Sequence, residues 1–256
     1  MPKVNIDGVN IYYEVHGQGE PLVMLHHGTG CTKIWEDVLS GFVARYKVIA
    51  YDRRGFGRSD KGDNFRDYYV SEQYNENSVR ELSSLLEHLD IKDKMYLVGQ
   101  CEGGAVGFYY TAQNPERVKA IAISSTLCYS KVRMSEHPSG NIFSSFEEID
   151  SAFQGKLIYW HGETHAREII SLFMEMGGAY GAGVFDLRDT LRNVQCPALV
   201  LYPDRSRLFD VEQAVLMYHS LPEGELAVLP RCGHNTYALQ PEEYQRIMLS
   251  FFARHC

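Results

Sequence analysis

Five short runs of apolar residues, PLVMLHHG, KVIAYD, KMYLVG, VKAIAISS and PALVLY, recur along the chain, separated by stretches of helical periodicity. A strand that is apolar at consecutive positions is covered on both faces. Strands alternating with helices therefore imply a mostly parallel sheet, joined by right-handed crossovers and flanked by helices on both sides. ENSVRELSSLLEHLDI carries the helical pattern, with Val79, Leu82, Leu85, Leu86 and Leu89 on one face. NIDGVNIYYEVHG reads as an N-terminal hairpin. VEQAVLMYHSL, GELAVLP and PEEYQRIMLSFFARH close the chain as helix, strand and helix.

Residues from about 127 to 190 break this rhythm. They contain no clear strand and carry helical patterns instead, in SSFEEIDSAFQGKLIYW, HAREIISLFMEM and DLRDTLRNV, with GGAYGAG between the last two as a flexible joint. An insertion after the sixth strand of an open sheet sits above the carboxyl ends of the strands, where ligands bind. The expected division is a core of residues 1–126 and 191–256 and a helical cap of residues 127–190.

The chain of 256 residues is long enough for a sizeable core. Its net charge of −8 disfavours nucleic acid or an anionic membrane as partner, since both need a basic face. No apolar run approaches the roughly 20 residues that cross a bilayer, and the N-terminus lacks a signal-peptide core. Six cysteines are scattered without a C-x-x-C pair or metal-type spacing. The expectation is a cytoplasmic chain with free thiols, monomeric or homodimeric, whose partner is a small apolar molecule.

Four segments carry chemistry: LHHGTG, YDRRGFGRSD and VGQCEGG end successive strands, and LPRCGHNTY follows the last. A nucleophile between a strand and a helix sits on a sharp turn that needs small neighbours. Gly99 and Gly103 meet that need around Cys101, and Gly104 allows close packing beneath. The helix that begins there aims its N-terminus at the thiol, which favours a thiolate and a developing oxyanion. The Glu102 carboxylate opposes ionisation of that thiol unless it points away or is paired.

In this order and context the four segments resemble the α/β-hydrolase family, in its capped, esterase-like form, over nearly the whole chain. The resemblance implies an α/β-hydrolase fold with a mostly parallel eight-stranded sheet, and no metal or organic cofactor. It places the nucleophile at Cys101, the catalytic histidine at His234, and the oxyanion donors at the backbone N–H groups of Glu102 and Thr29, with Gly28 permitting close approach. Where the family has its triad aspartate, this chain has Ser206 in LVLYPDRSRLFDVEQA, with Asp204 two residues earlier. The third member is therefore Asp204, or Ser206 as a neutral orienter. The other known acid position holds Ser124, Ser125 and Thr126.

Cysteine paired with histidine can exist as thiolate and imidazolium, so the acid matters less than it does for serine. The implied activity is hydrolysis of an ester, lactone or thioester through a thioester acyl-enzyme. Acyl transfer, carbon–carbon bond hydrolysis and a non-catalytic ligand-binding role are the alternatives. Trp35, Tyr159, Trp160 and Met174 are expected to line the substrate pocket. His161 and His165, four apart, could share a helical face but have no third ligand for a metal. Arg53 and Arg54 are expected in structural ion pairs.

Overall fold

The computed structural model describes residues 2–132, 145–176, 180–181 and 183–256. Ten strands are formed among these: β1 (Lys3–Ile6), β2 (Val9–His16), β3 (Glu20–Leu25), β4 (Tyr46–Tyr51), β5 (Met95–Gln100), β6 (Val118–Ser124), β7 (Tyr129–Ser130), β8 (Phe185–Asp186), β9 (Ala198–Pro203) and β10 (Gly224–Leu229). The helices are α1 (Leu39–Val43), α2 (Phe65–Tyr69), α3 (Tyr74–His88), α4 (Glu102–Gln113), α5 (Ser151–His161), α6 (Glu163–Met176), α7 (Arg188–Arg192), α8 (Glu212–Ser220), α9 (Thr236–Leu239) and α10 (Pro241–Arg254).

The main sheet has eight strands in the order β1-β2-β4-β3-β5-β6-β9-β10. The pairs β1/β2 and β2/β4 are antiparallel and every other pair is parallel. Alternate residues of each strand enter opposite cores, because side chains of a strand point to opposite faces at a period of two. Val23, Leu25, Ile49 and Leu97 pack with residues of α3, α4 and α8. Their neighbours Leu22, Met24, Val48 and Val98 pack on the other face with Phe42 of α1 and Tyr244, Met248, Phe251 and Phe252 of α10. Both faces are apolar, which is why the parallel strands read as unbroken hydrophobic runs.

The insertion differs from its sequence reading in one respect. It contains two strands, β7 and β8, which pair antiparallel and pinch its two ends together. Strands of two residues are too short to show a period. Between them α5 and α6 share a small core of their own, built on Phe146, Ile149, Leu157, Ala166 and Ile170. Phe143 and most of the 177–183 stretch read as a joint lie outside the described residues. The connection between β3 and β4 forms a 3₁₀ turn (Thr32–Trp35) and the five-residue α1. Among the described residues no helix is long and apolar enough to cross a membrane.

Three glycines fix the junction between β5 and α4. A Cβ on Gly103 would lie 2.1 Å from the Leu25 carbonyl oxygen, and one on Gly99 would lie 2.6 Å from the Gly104 Cα. Both obstacles are backbone and cannot rotate away. We expect Gly103→Ala to destabilise the fold by about 3 kcal/mol, the upper range for overpacking a close contact. Gly155→Ala, inside α5 where a Cβ meets nothing within 4 Å, serves as the sterically open control and should gain up to about 1 kcal/mol from the helix preference of alanine. Urea midpoints of the two variants check this, and equal midpoints would contradict it.

Candidate active site

Cys101 is the last residue before α4 and has φ 52° and ψ −116°. A non-glycine residue held there carries strain of about 1–3 kcal/mol, which persists only where its surroundings over-determine it. They do so here. The Cys101 N–H donates to the Ser124 carbonyl (2.8 Å), and the Cys101 carbonyl accepts from Gly104 N–H (2.9 Å) and the Thr126 hydroxyl (3.0 Å). The turn pushes the side chain out of the sheet toward a cavity of about 460 Å³, to which the 7 %-exposed Cys101, His27, Gly28, Thr29 and His234 contribute.

His234 belongs to the loop after β10, and the ends of two strands clamp its backbone. Its carbonyl accepts from Ser125 Oγ (2.7 Å) and Gln100 Nε2 (3.1 Å). Ser124 Oγ bonds Thr236 Oγ1 at 2.6 Å. Ser124 and Ser125, set aside in the sequence for lack of a carboxylate, thus hold the histidine loop. Gln100 and Thr236 escaped notice altogether. An uncharged residue beside the nucleophile and a hydroxyl after the histidine carry no pattern of their own.

Ser206, not Asp204, is the residue that meets the imidazole. Its Oγ lies 3.2 Å from His234 Nδ1. The same oxygen accepts the backbone N–H groups of Leu208 (3.1 Å) and Phe209 (3.2 Å). Both lone pairs are then occupied, so the hydroxyl hydrogen is left for Nδ1. Asp204, the carboxylate expected to reach His234, turns instead to the backbone of the same loop. Its Oδ1 accepts Cys232 N–H at 3.1 Å, its Oδ2 lies 3.9 Å from Arg205 Nε, and the Arg231 backbone bond leads the contacts that hold its carboxyl below the ordinary range. Two residues along a loop point in different directions, and Pro203 at the end of β9 does not swing Asp204 round.

Burial governs the charge state of the pair. It pushes the Cys101 thiol up to about 12, helped by the nearby Glu102 carboxylate and opposed by bonds from Tyr180 and the Glu102 backbone. It draws His234 down to about 4. The ligand-free site therefore holds a neutral thiol and a neutral imidazole, not the thiolate–imidazolium pair expected from the sequence. Tyr180, an aromatic residue of the insertion, caps the sulfur. Leu127 N–H donates to its Oη at 3.4 Å, and the same oxygen lies 3.4 Å from Sγ, within hydrogen-bond reach of the thiol.

The Glu102 side chain turns away from the cavity into the protein. It is fully buried, with Oε2 at 3.7 Å from Nη2 of Arg53, itself buried and bonded to Tyr74 Oη (2.9 Å) and the His26 carbonyl (3.2 Å). Gly28 is required above it, because a Cβ there would lie 1.5 Å from Glu102 Oε2. Arg54 pairs with buried Glu81 at 3.6 Å. Thr29 N–H, assigned to the oxyanion, donates at 3.3 Å to Nδ1 of His27, whose Nε2 lies 3.1 Å from Tyr237 Oη. In the resting site that N–H is thus shared with an imidazole that burial keeps neutral, down to about 3.

α5 and α6 roof the cavity with Phe153 and Phe173 and reach the core through two histidines. His161 accepts Gly57 N–H on Nδ1 (2.9 Å) and places Nε2 at 3.0 Å from the Thr29 carbonyl. His165 bonds the Gly55 carbonyl and Glu168. Both nitrogens of each ring are engaged with protein, and no cluster of three metal-binding side chains occurs among the described residues. None of the four side chains expected in the pocket lines the cavity. Trp35 is buried in the core against Tyr237, and Tyr159 faces solvent under Lys33 Nζ. Trp160 edges onto His27 between core and insertion, and Met174 packs into the α5–α6 core.

The sequence model of the α/β-hydrolase fold matches residues 20–194, more than half of the chain. The chain belongs to the α/β-hydrolase fold family. Among relatives in this family, the 2-hydroxy-6-oxo-6-(2'-aminophenyl)hexa-2,4-dienoic acid hydrolase of Metapseudomonas resinovorans is 23% identical over 98% of this chain and 90% of its own length. A membrane phospholipase A superposes with a TM-score of 0.82 at 20% identity, covering 98% of this chain and 85% of that one. The enol-lactonase of Burkholderia xenovorans gives a TM-score of 0.78 at 15% identity, over 98% of this chain and all of that one (100%). At these identities the two structures share the α/β-hydrolase fold with this chain.

A raised thiol has a direct readout. Alkylation of Cys101 by iodoacetamide, followed by peptide mass, is expected to be slow at pH 7 and still rising above pH 9, because the thiolate is scarce below the raised value. A rate that levels off near pH 7 would show a preformed thiolate and overturn the neutral-pair assignment.

Proposed function

We propose that this α/β-hydrolase cleaves an ester, lactone or thioester through a covalent Cys101 acyl-enzyme, with the insertion of residues 127–190 acting as the cap over the substrate. The observation that carries the reading is the strained Cys101 turn, held by backbone bonds on three sides and facing the same cavity as His234. Strain of this kind is retained at sites that use it. The names of the relatives agree with acyl chemistry: an enol-lactonase and a phospholipase share the fold.

In the proposed reaction Sγ bonds to the carbonyl carbon as the thiol proton passes to Nε2 of His234. Glu102 N–H and Thr29 N–H hold the oxyanion, Thr29 exchanging its long bond to His27 for a charge-assisted one. The tetrahedral adduct collapses, the carbon–oxygen bond breaks, and the leaving alkoxide takes the proton from Nε2. Water then adds to the thioester with His234 as base, the carbon–sulfur bond breaks, and the thiol recovers its proton. For His234 to accept at Nε2, Nδ1 must carry the other proton and give it to Ser206 Oγ, which already accepts two N–H groups. A carboxylate has acceptor sites for all three and a hydroxyl does not. Ser206 is therefore a positioning residue that works slowly.

A second reading, a ligand-binding member of the fold without turnover, is favoured by the resting charge state, since both partners are neutral and, among the described residues, no carboxylate meets His234. Intact-protein mass after brief mixing with activated esters, lactones and acyl thioesters separates the two. The acyl-enzyme reading expects a transient acyl mass on the Cys101 peptide, absent in Cys101→Ala and accumulating or failing to form in His234→Ala. No adduct and no turnover across the panel would transfer the assignment to the binding reading.

The neutral third member makes a further prediction. Ser206→Asp should raise kcat/KM by about tenfold or more, because a carboxylate at Nδ1 stabilises the imidazolium that forms during attack, and should speed Cys101 alkylation at pH 7. A slower enzyme with unchanged stability would show that Ser206 is the better orienter.

A further inference from the structure

We infer that the cavity takes a substrate with an anionic group, a carboxylate or a phosphoryl group, at the end remote from the reacting carbonyl. The inference rests on the proposed acyl chemistry for the position of that carbonyl, but its anion site stands on the cavity itself. The cavity is graded along its depth. Its floor, at Cys101, His27, Thr29 and His234, is polar and carries no formal charge in the resting state. Its walls are apolar, formed by Phe153, Phe173 and Leu208. Its exposed rim carries three cationic side chains, Lys156 of α5 and Arg205 and Arg207 of the loop after β9.

These cations are concentrated against the trend of the molecule, whose net charge is −8. Among the described residues Asp150 is the one carboxylate in the lining, and it is engaged as the cap of α5, accepting Phe153 N–H at 3.0 Å. Arg205 touches Asp204 only at 3.9 Å. Among the described residues, no carboxylate lies within ion-pair distance of Lys156 or Arg207. Surface cations without partners usually stay solvated and contribute little. Here they ring the mouth of a concave site with low-dielectric walls, which strengthens their joint field on a ligand inside. Arg207 and Arg205 also flank Ser206, so the loop that orients His234 carries the anion-binding guanidinium groups. A ligand held by them is registered to the catalytic histidine by one short stretch of backbone. An apolar body between a carbonyl and an anion matches the grading from floor to rim, as in the monoester of a dicarboxylic acid or a lactone bearing an acidic arm.

Calorimetric binding of phenylbutyrate, phenylpropyl phosphate and neutral phenylbutyramide to the wild-type chain tests the site without any turnover. At an ionic strength of about 0.02 M, at least one anion should bind about tenfold or more tightly than the amide, and the advantage should shrink strongly at about 0.5 M. The tighter of the two anions names the group. Arg207→Gln and Lys156→Gln should each cut the advantage several-fold. Equal affinity for amide and anions, or an advantage untouched by both substitutions, overturns the inference. Turnover of mono-nitrophenyl adipate against its methyl-capped diester is read separately. An anion preference in binding with neither ester cleaved would remove the acyl reading and leave the site. Cleavage of both esters with no preference in binding would remove the site and leave the acyl reading.

Discussion

The backbone of Cys101 lies in a region that an L-residue occupies only under compulsion, and the compulsion is steric. β5 must end, reverse and enter α4 within a few residues, and the space for that turn exists only because Gly99, Gly103 and Gly104 let the helix settle onto the strand ends. Once α4 is seated, its first residue has nowhere to put a side chain except into the protein. Glu102 is buried in this way and must be neutralised there, so Arg53 is buried with it, just past the end of β4, two strands over, beside Tyr74 and His26. Burying an unpaired charge would cost several kcal/mol. The turn, the ion pair and the glycine at position 28 are thus one requirement met three ways.

The side of the same turn that faces the cavity is made almost wholly of neutral groups. Hydroxyls and amides from the ends of β5 and β6 hold the His234 loop, a serine faces its Nδ1, and a tyrosine faces the sulfur. Such a network fixes geometry without supplying charge. It suits a nucleophile that needs little help to attack. Sulfur is more nucleophilic than a serine hydroxyl, so a histidine without a carboxylate can still serve it, at the expense of a thiol that burial keeps protonated.

Most of the sheet was legible because its strands are covered on both faces and therefore written as apolar runs with helices between. The turn at Cys101 was legible because glycine spacing has one steric meaning there. The partner of His234 was legible only as a choice between Asp204 and Ser206, because they lie two residues apart in a loop whose course is set by its bonds to the 229–232 segment. Gly28 does line the cavity, but the large side chains expected there do not, for a related reason. Trp35, Tyr159, Trp160 and Met174 were chosen as large and apolar, yet which face of a helix meets a cavity depends on how the insertion docks. The residues that do line it, Phe153, Lys156 and Arg207 among them, have no sequence pattern apart from that docking.

The docking itself runs through His161, whose ring touches two core loops at once: the Gly57 amide on one side and the Thr29 carbonyl on the other. In the proposed reaction Thr29 belongs to the loop that faces the reacting carbonyl. The His161 ring thus ties the roof of the cavity directly to that loop, and a shift of α5 is passed to the peptide next to the proposed oxyanion. A ligand too long or too short for the roof would therefore be sensed at the bond to be broken. In this architecture, choosing the substrate and aligning the groups that act on it are the same mechanical event.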